Sequence, residues 1–323
     1  MTNNNLLFEM SMILNDNSSD FFKLIIDMLP FKANQMTPAT AHKKTKYNEK
    51  VFYSELLDAL KQKTRFSTSI SKDFNNTFML RYDDISNVIT IIIFVENYVL
   101  EKKFIDAIDT LFCQFTIITA LIRNQEDGLL SSAYKISSYE RRGIDTSNLK
   151  KKINTPFKDE IIDIEQFSGH SHEYGGIQFT STYIMWFGND FFKFVPQETL
   201  TSFKECISNE TLENGTIRIQ LYENINDYNS EEADHNQWAF RRHTNIDKIA
   251  EEWHLKYCKT PPGDFSGANM IIEQGNFEHG GVKLVKAYYD ANNKSTPKKK
   301  AFKVVLTEYN SSNKVVFQKE ELL

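Results

Sequence analysis

Cysteine, glycine and proline are all scarce in this chain of 323 residues, which contains 3, 12 and 7 of them. The three cysteines, Cys113, Cys206 and Cys258, are odd in number and far apart. This spacing argues against a disulfide framework or a cysteine zinc site, and it indicates a reducing compartment. The low glycine and proline content argues against collagen-like and low-complexity chains. The absence of an internal repeat of about 20 to 50 residues argues against a solenoid.

Long apolar runs and a strong charge are missing as well. The longest apolar run, Val88 to Val95, is far shorter than the ~20 residues that a membrane helix needs. The N-terminus has neither the basic segment nor the small-residue cleavage site of a signal peptide. A net charge of −5 makes the chain a poor general ligand for nucleic acid or anionic membranes. We therefore expect a cytoplasmic protein that binds neither.

Aromatic residues, in contrast, are abundant, with 25 Phe and 14 Tyr. The densest stretch runs from Gly175 to Pro196 and reads GGIQFTSTYIMWFGNDFFKFVP. Apolar residues alternate from Ile177 to Met185, as in a half-buried strand, and Gly188 to Asp190 is turn-forming sequence. The aromatic run from Phe191 to Val195 would then form a second strand. The pattern predicts a β-hairpin at the centre of a core.

Some of the other segments show the periodicity of a strand and others that of a helix. VITIIIFV at 88–95 is apolar on both faces, which is typical of a central strand. Apolar residues from Phe104 to Ile122 are spaced by three and four, which predicts a helix packed on the core. Thr244 and Asp247 form a T-x-x-D capping pattern before another helix. We expect an α+β protein in which helices pack on an antiparallel sheet, with a β-rich C-terminus.

The length fits either two subdomains or one elaborated α+β domain. A polar, punctuated stretch separates the two apolar halves of the chain. We predict an N-terminal α+β subdomain over residues 1–125, a polar connecting segment over 126–175, and a C-terminal α+β subdomain with terminal β-strands over 176–323.

No complete catalytic motif is present, and neither a P-loop nor a G-x-G-x-x-G fingerprint occurs. His170 and His172 form an H-x-H pair, whose side chains would lie on one side of an extended chain, roughly 7 Å apart. Such a pair can hold a metal if a third ligand arrives, but no partner motif indicates one. We expect no cofactor and no metal, and keep a metal site at these histidines as the alternative. Arg241, Arg242 and His243 could form an anion or phosphate patch, but we expect arginine here to pair with carboxylates at a domain seam.

An acidic segment at 224–236 lies between a predicted strand and an aromatic run. As a loop on a firm base, it would present carboxylates to a basic protein partner, and such charge raises association rates. Solvated loop charge without a partner is the alternative interpretation. The predicted partner-binding residues are Asp227, Tyr228, Glu231, Glu232 and Asp234.

The run from Tyr183 to Arg242 contains MWFG, a short aromatic segment ending in VP, then NGTIRIQLYE and QWAFRR. It resembles some immunity proteins of bacterial polymorphic-toxin and type VI secretion systems, over less than a quarter of the chain. The resemblance implies a cytoplasmic, non-catalytic α+β inhibitor that binds and neutralises a cognate protein toxin. It carries over no functional residue. The alternatives are a metal-dependent hydrolase with a site near His170 and His172, or a structural component of a bacterial assembly.

Overall fold

The structure is a computed structural model that describes residues 5–15, 18–39, 43–96, 101–154, 159–259, 269–274, 277–310 and 314–323. The chain forms two compact units, each built from two segments. Unit 1 comprises Met1–Ala133 with Ile164–Thr260, and unit 2 comprises Tyr134–Asp163 with Pro261–Leu323. No helix within the described ranges combines the length and apolar composition needed to cross a membrane.

The described residues contain eighteen strands, and all strand pairings between them are antiparallel. The strands are β1 (Asn5–Ile13), β2 (Gln35–Thr37), β3 (Thr45–Lys46), β4 (Phe66–Ser71), β5 (Thr77–Asp83), β6 (Val88–Glu96), β7 (Ile117–Asn124), β8 (Lys151–Asn154), β9 (Asp159–Ile162), β10 (Ser171–Tyr174), β11 (Ile177–Thr180), β12 (Ile184–Phe187), β13 (Ser208–Thr211), β14 (Ile217–Gln220), β15 (Met270–Gln274), β16 (Lys283–Tyr289), β17 (Lys303–Tyr309) and β18 (Val315–Leu322).

Eight α-helices accompany these strands within the described ranges. They are α1 (Ser18–Asp27), α2 (Glu49–Gln62), α3 (Glu101–Gln114), α4 (Gln125–Ser132), α5 (Ile136–Glu140), α6 (Gln197–Ser202), α7 (Glu231–Thr244) and α8 (Ile246–Lys259). The expectation of an α+β protein with an antiparallel sheet and a β-rich C-terminus is confirmed.

Unit 1 is organised on a ten-stranded sheet in the order β13-β14-β12-β7-β1-β6-β5-β4-β2-β3. The strand β1 pairs with β6 over nine residues and with β7 on its other side. Both β6 and β7 are almost entirely buried. The interpretation of residues 88–95 as a central strand is therefore confirmed, because both faces of that strand are covered.

The helix α3 packs on one face of this sheet. Phe104 of α3 packs on Phe8 of β1, with ring centroids 6.5 Å apart. Asp109 of α3 accepts a hydrogen bond of 2.7 Å from the indole of Trp186 and one of 2.6 Å from Arg218. These contacts tie a helix near the N-terminus to strands that lie much later in the chain.

The opposite face of the same sheet is covered by the turn between β10 and β11. The carbonyl of Gly176 accepts hydrogen bonds from the hydroxyls of Ser11 (2.5 Å) and Thr90 (3.1 Å). Gly176 has a φ of +75°, and a Cβ there would lie 2.8 Å from the Val88 side chain. Glycine is therefore required at this contact, both by the backbone conformation and by the close approach. This turn positions the strand that carries His172.

The hairpin predicted over 176–195 is wrong. The strand β11 pairs with β10, whereas β12 enters the large sheet between β7 and β14. Residues Asn189–Phe191 form a 3-10 turn whose Phe191 is buried, so no second strand follows the turn. The hairpin that does form turns at Gly175 and Gly176, which both have positive φ. The glycine turn therefore joins β10 to β11, whereas the long-range pairing of β12 with β7 and β14 prevents a hairpin between β12 and residues 191–195.

The helix predicted from Phe104 to Ile122 is too long. The helix α3 ends at Gln114, and the next residues form β7, all of whose residues are buried. The spacing of apolar residues by three and four happens to continue from α3 into β7, although the backbone changes from helix to strand. The β-branched residues of IITALI favour a strand, and this preference was the available signal. Phe115 consequently lies between the two elements and is only partly buried.

The unit boundaries also differ from the expected subdomains. Strands from 1–125 and from 176–220 share the same ten-stranded sheet. The expected connecting segment, 126–175, is divided between the two units, because only 134–163 belongs to unit 2. Unit 2 contains α5, the pair β8–β9 and the four-stranded sheet β15-β16-β17-β18.

We expect Trp186→Ala to lower the free energy of unfolding by about 3–5 kcal/mol, because the side chain is fully buried and its indole donates to Asp109. Phe115→Ala should cost less, since that ring is only partly buried. Urea unfolding of both variants tests the ranking. A loss below about 1 kcal/mol for Trp186→Ala, far under the range for buried aromatics, would contradict its placement in the core.

Candidate functional site

A cleft of about 510 Å³ lies in unit 1, lined by residues of β10, α7 and α8 and by residues next to them. Arg241 of α7 contacts two of its lining residues, and its side chain is only 1% exposed. The residues that determine the character of the cleft are His170, His172, Tyr174, Trp238, Asp247 and His254.

Arg241 binds Asp247 through two parallel hydrogen bonds. Its Nε lies 3.2 Å from Oδ2 and its Nη2 lies 2.5 Å from Oδ1. The remaining nitrogen, Nη1, donates to the carbonyls of Ser168 and His170 and to the hydroxyl of Ser181, at 3.1, 2.9 and 2.8 Å. All three nitrogens of the guanidinium therefore have acceptors, as a buried charge requires. The expectation that Arg241 pairs with a carboxylate is confirmed.

His170 is buried, and its two ring nitrogens face different partners. Nδ1 lies 2.6 Å from the carbonyl of Phe167, which can only accept, so Nδ1 carries a proton. In the neutral ring, Nε2 is then an acceptor, and Nη2 of Arg241 approaches it to 2.5 Å. Nε2 also lies 3.1 Å from Oδ1 of Asp247. The ring is thus fixed in one orientation by its neighbours.

Asp247 is the exposed end of this buried network, with 44% of its side chain accessible. Burial raises the pKa of its carboxyl, but the hydrogen bonds and the positive charge of Arg241 outweigh that effect. The pKa of Asp247 therefore lies well below its usual range. The carboxylate is ionised at neutral pH and faces the cleft.

His172 and its neighbours form a row of aromatic rings. The His172 ring lies edge-on to His170 at 5.1 Å and is stacked with Tyr174 at 5.8 Å. Tyr174 in turn stacks on His254 of α8 at 4.1 Å. Burial, followed by the nearby positive charge of Arg241, lowers the pKa of His172 to about 4. His172 is therefore neutral at physiological pH.

The sequence spacing explains part of this row. Residues two apart in an extended chain project to the same side, and the rings of His170, His172 and Tyr174 follow one another in this way. The prediction that His170 and His172 lie on one side is confirmed. The third group, Asp247, comes from a helix 77 residues after His170. No sequence signal connected it to the histidines.

Asp247 provides the third ligand that a metal site would need. One ligand atom each of His170, His172 and Asp247 lies within 4.8 Å of the others. However, Nη2 of Arg241 contacts both Nε2 of His170 and Oδ1 of Asp247, so a cation held by those atoms would be close to a guanidinium. Arg241 is held by further acceptors. With Arg241 in this position, the residues do not fit a metal ion, because the two positive charges repel each other.

The capping pattern at Thr244 and Asp247 does not form. Thr244 belongs to α7 and donates its hydroxyl to the carbonyl of Phe240 at 2.7 Å. The carboxylate of Asp247 binds Arg241 instead. Leaving a buried guanidinium without its carboxylate would cost about 3–5 kcal/mol, more than the ~1 kcal/mol that a cap supplies.

The predicted partner-binding residues do not form a loop throughout: Glu231, Glu232 and Asp234 lie in the first turn of α7, whereas Asp227 and Tyr228 lie in the turns before it. Ser230 caps α7 by accepting from the amide of Ala233, and the chain before it forms a 3-10 turn at Ile225–Asp227. The four acidic side chains are exposed and Tyr228 is half-buried. Within the described part of the chain, no ion pair reaches these carboxylates. The group that we call the acidic surface is Asp227, Glu231, Glu232 and Asp234.

No protein-family model, curated protein or solved structure matches this chain. The expectation of an immunity-type protein therefore stays a prediction. The function is therefore inferred from the geometry of the cleft and of the acidic surface.

We expect Asp247→Ala to lower the free energy of unfolding by about 3–5 kcal/mol, because it leaves the buried guanidinium of Arg241 uncompensated. The double variant Arg241→Met/Asp247→Ala should lose no more than that single variant, since it buries no charge. Urea unfolding in a double-mutant cycle measures this coupling. Additive losses would show that the pair does not act as a unit.

We also expect the wild-type protein to bind no stoichiometric zinc, because Arg241 lies beside the ligand atoms. Elemental analysis after zinc loading and dialysis measures this, with a His170→Ala/His172→Ala variant as control. One equivalent of zinc in the wild type, lost in the control, would overturn the argument and favour the hydrolase alternative.

Proposed function

We propose that this protein is a non-catalytic, immunity-type binding protein that neutralises a basic partner, a cognate bacterial toxin. The observation that carries the proposal is the acidic surface, whose exposed carboxylates have no ion-pair partners among the described residues. Charges that the fold does not use are available to another molecule. Two further features support this reading.

The first feature is the firm base beneath the acidic surface. Ile225 and Ala233, which flank and interleave with the acidic residues, are buried. Asn236 of α7 donates to the carbonyl of Leu221 at 2.7 Å, and Asn124 of β7 donates to Asn226 at 3.0 Å. Because the backbone that carries the carboxylates is already ordered, binding costs little further backbone entropy, which favours affinity.

The second feature is the sign and density of the charge. Between Arg218 and Arg241 the chain contains five carboxylates and neither lysine nor arginine. Such a field steers a basic partner toward the surface and accelerates association. Arginines of the partner can bind carboxylates through two parallel hydrogen bonds.

The cleft offers weaker support for catalysis. Three ligand atoms converge there, which favours the metal-dependent hydrolase as the second candidate. However, the guanidinium of Arg241 and Nε2 of His170 are already bound to each other and to Asp247. We therefore place the hydrolase second.

For the proposed function, we expect Glu231→Lys/Glu232→Lys to slow association with the product of the neighbouring reading frame. The on-rate should fall about tenfold or more at low salt, because steering charge is reversed. Raising the salt concentration should shrink the difference. Stopped-flow or surface plasmon resonance measures these rates.

A matched control is Asp20→Lys/Glu49→Lys, because these residues also lie in first turns of helices, on α1 and α2. It makes the same charge change and loses similar helix-dipole stabilisation. The proposal is wrong if both double variants bind as the wild type does, or if both slow association equally. Protection of growth during co-expression with the toxin should follow the same ranking.

A further inference from the structure

The cleft has aromatic walls that the proposed function does not yet use. His172, Tyr174, Trp238 and His254 all line it, and the Trp238 ring lies 6.2 Å from His170. Trp238 is only partly buried. Aromatic faces attract cations, most strongly those of tryptophan and tyrosine.

The charged residues of the cleft indicate the sign of its ligand. Besides Asp247, which is bound to Arg241, two carboxylates line it, those of Glu165 and Glu251, against one lysine. That lysine, Lys248, pairs with Glu252 at 3.8 Å. The positive charge of Arg241 is balanced by Asp247. An anionic ligand would be repelled here, whereas a cationic one is favoured by both the walls and the charges.

Trp238 of the cleft lies on the same face of α7 as two residues of the acidic surface. Glu231, Asp234 and Trp238 are spaced by three and four residues, so their side chains follow one face of the helix. The distance along the axis from Glu231 to Trp238 is about 10 Å at 1.5 Å per residue. A partner docked on the acidic surface can therefore place a side chain in the cleft.

We propose that the cleft binds the guanidinium or ammonium group of an arginine or lysine that the basic partner inserts beside Trp238. This deepens the proposed function and rests on it for the source of the cation. Desolvated pockets that receive arginine are typical centres of binding energy at interfaces. Glu165 and Glu251 supply the carboxylates, while Trp238 supplies the ring.

The test uses a probe that does not depend on the toxin. The full-length protein is titrated with N-acetyl-arginine methylamide, and the indole N–H resonance of Trp238 is followed by NMR, with Trp238→Phe for its assignment. We expect a saturable shift. The corresponding citrulline derivative has nearly the same shape without the charge and should give none. The buried Trp186 supplies an internal control resonance that should not move.

Glu251→Gln should weaken binding of the arginine probe about two- to fivefold, the range for a solvent-accessible ion pair. Asp106→Asn makes the same charge change on α3, which covers the other face of the sheet, and should leave binding unchanged. Both positions are exposed, so neither change should impair folding, and circular dichroism checks this.

Three outcomes would overturn the proposal. These are equal binding of the arginine and citrulline probes, no saturable shift with arginine, or a shift with zinc alone at one equivalent. The last would mark a metal site. Failure here and failure of the proposed function are distinguishable, because the acidic surface is tested by association rates with the toxin and the cleft by a free probe. Weakened toxin binding in Glu231→Lys/Glu232→Lys would still stand if the cleft bound nothing.

Discussion

The arrangement of the cleft depends on the buried ion pair between Arg241 and Asp247. The guanidinium joins its own helix, α7, to α8 and to the segment before β10, because its nitrogens donate to acceptors on both. Removing one partner would leave a charge out of water, which is costly, so the pair holds these elements in one arrangement. The orientation of His170 follows from it, since Nε2 faces the guanidinium.

This pair also decides between two chemistries for the same residues. His170, His172 and Asp247 are close enough to hold a metal, yet Arg241 already supplies a positive charge at that point. The groups that remain accessible in the cleft are the ionised carboxylate of Asp247 and the row of rings from His172 to His254. A positively charged group of another protein is the ligand that we propose for this surface. The acidic first turn of α7 extends that surface outward.

Local patterns in the sequence predicted a good part of the fold. The apolar run at 88–95 indicated a central strand, and the period of two indicated that His170 and His172 share a side. A β-rich C-terminus was expected as well, and β16 and β17 lie there. The acidic residues were recognised as exposed, although as a loop and not as a capped helix. These features depend on neighbours a few residues away, which periodicity and composition report directly.

Composition and periodicity by themselves determined the α+β class, the apolar core segments and the clustering of negative charge before Arg241. Only the tertiary structure decided that residues 117–124 form a strand, that β12 joins β7 and not 191–195, and that Asp247 completes the site. In each case a local preference competed with a partner distant in sequence. Residues 117–124 continue the apolar spacing of α3 but form a strand, because they pair with β1. Asp247 does not cap a helix, because its carboxylate neutralises the buried guanidinium of Arg241.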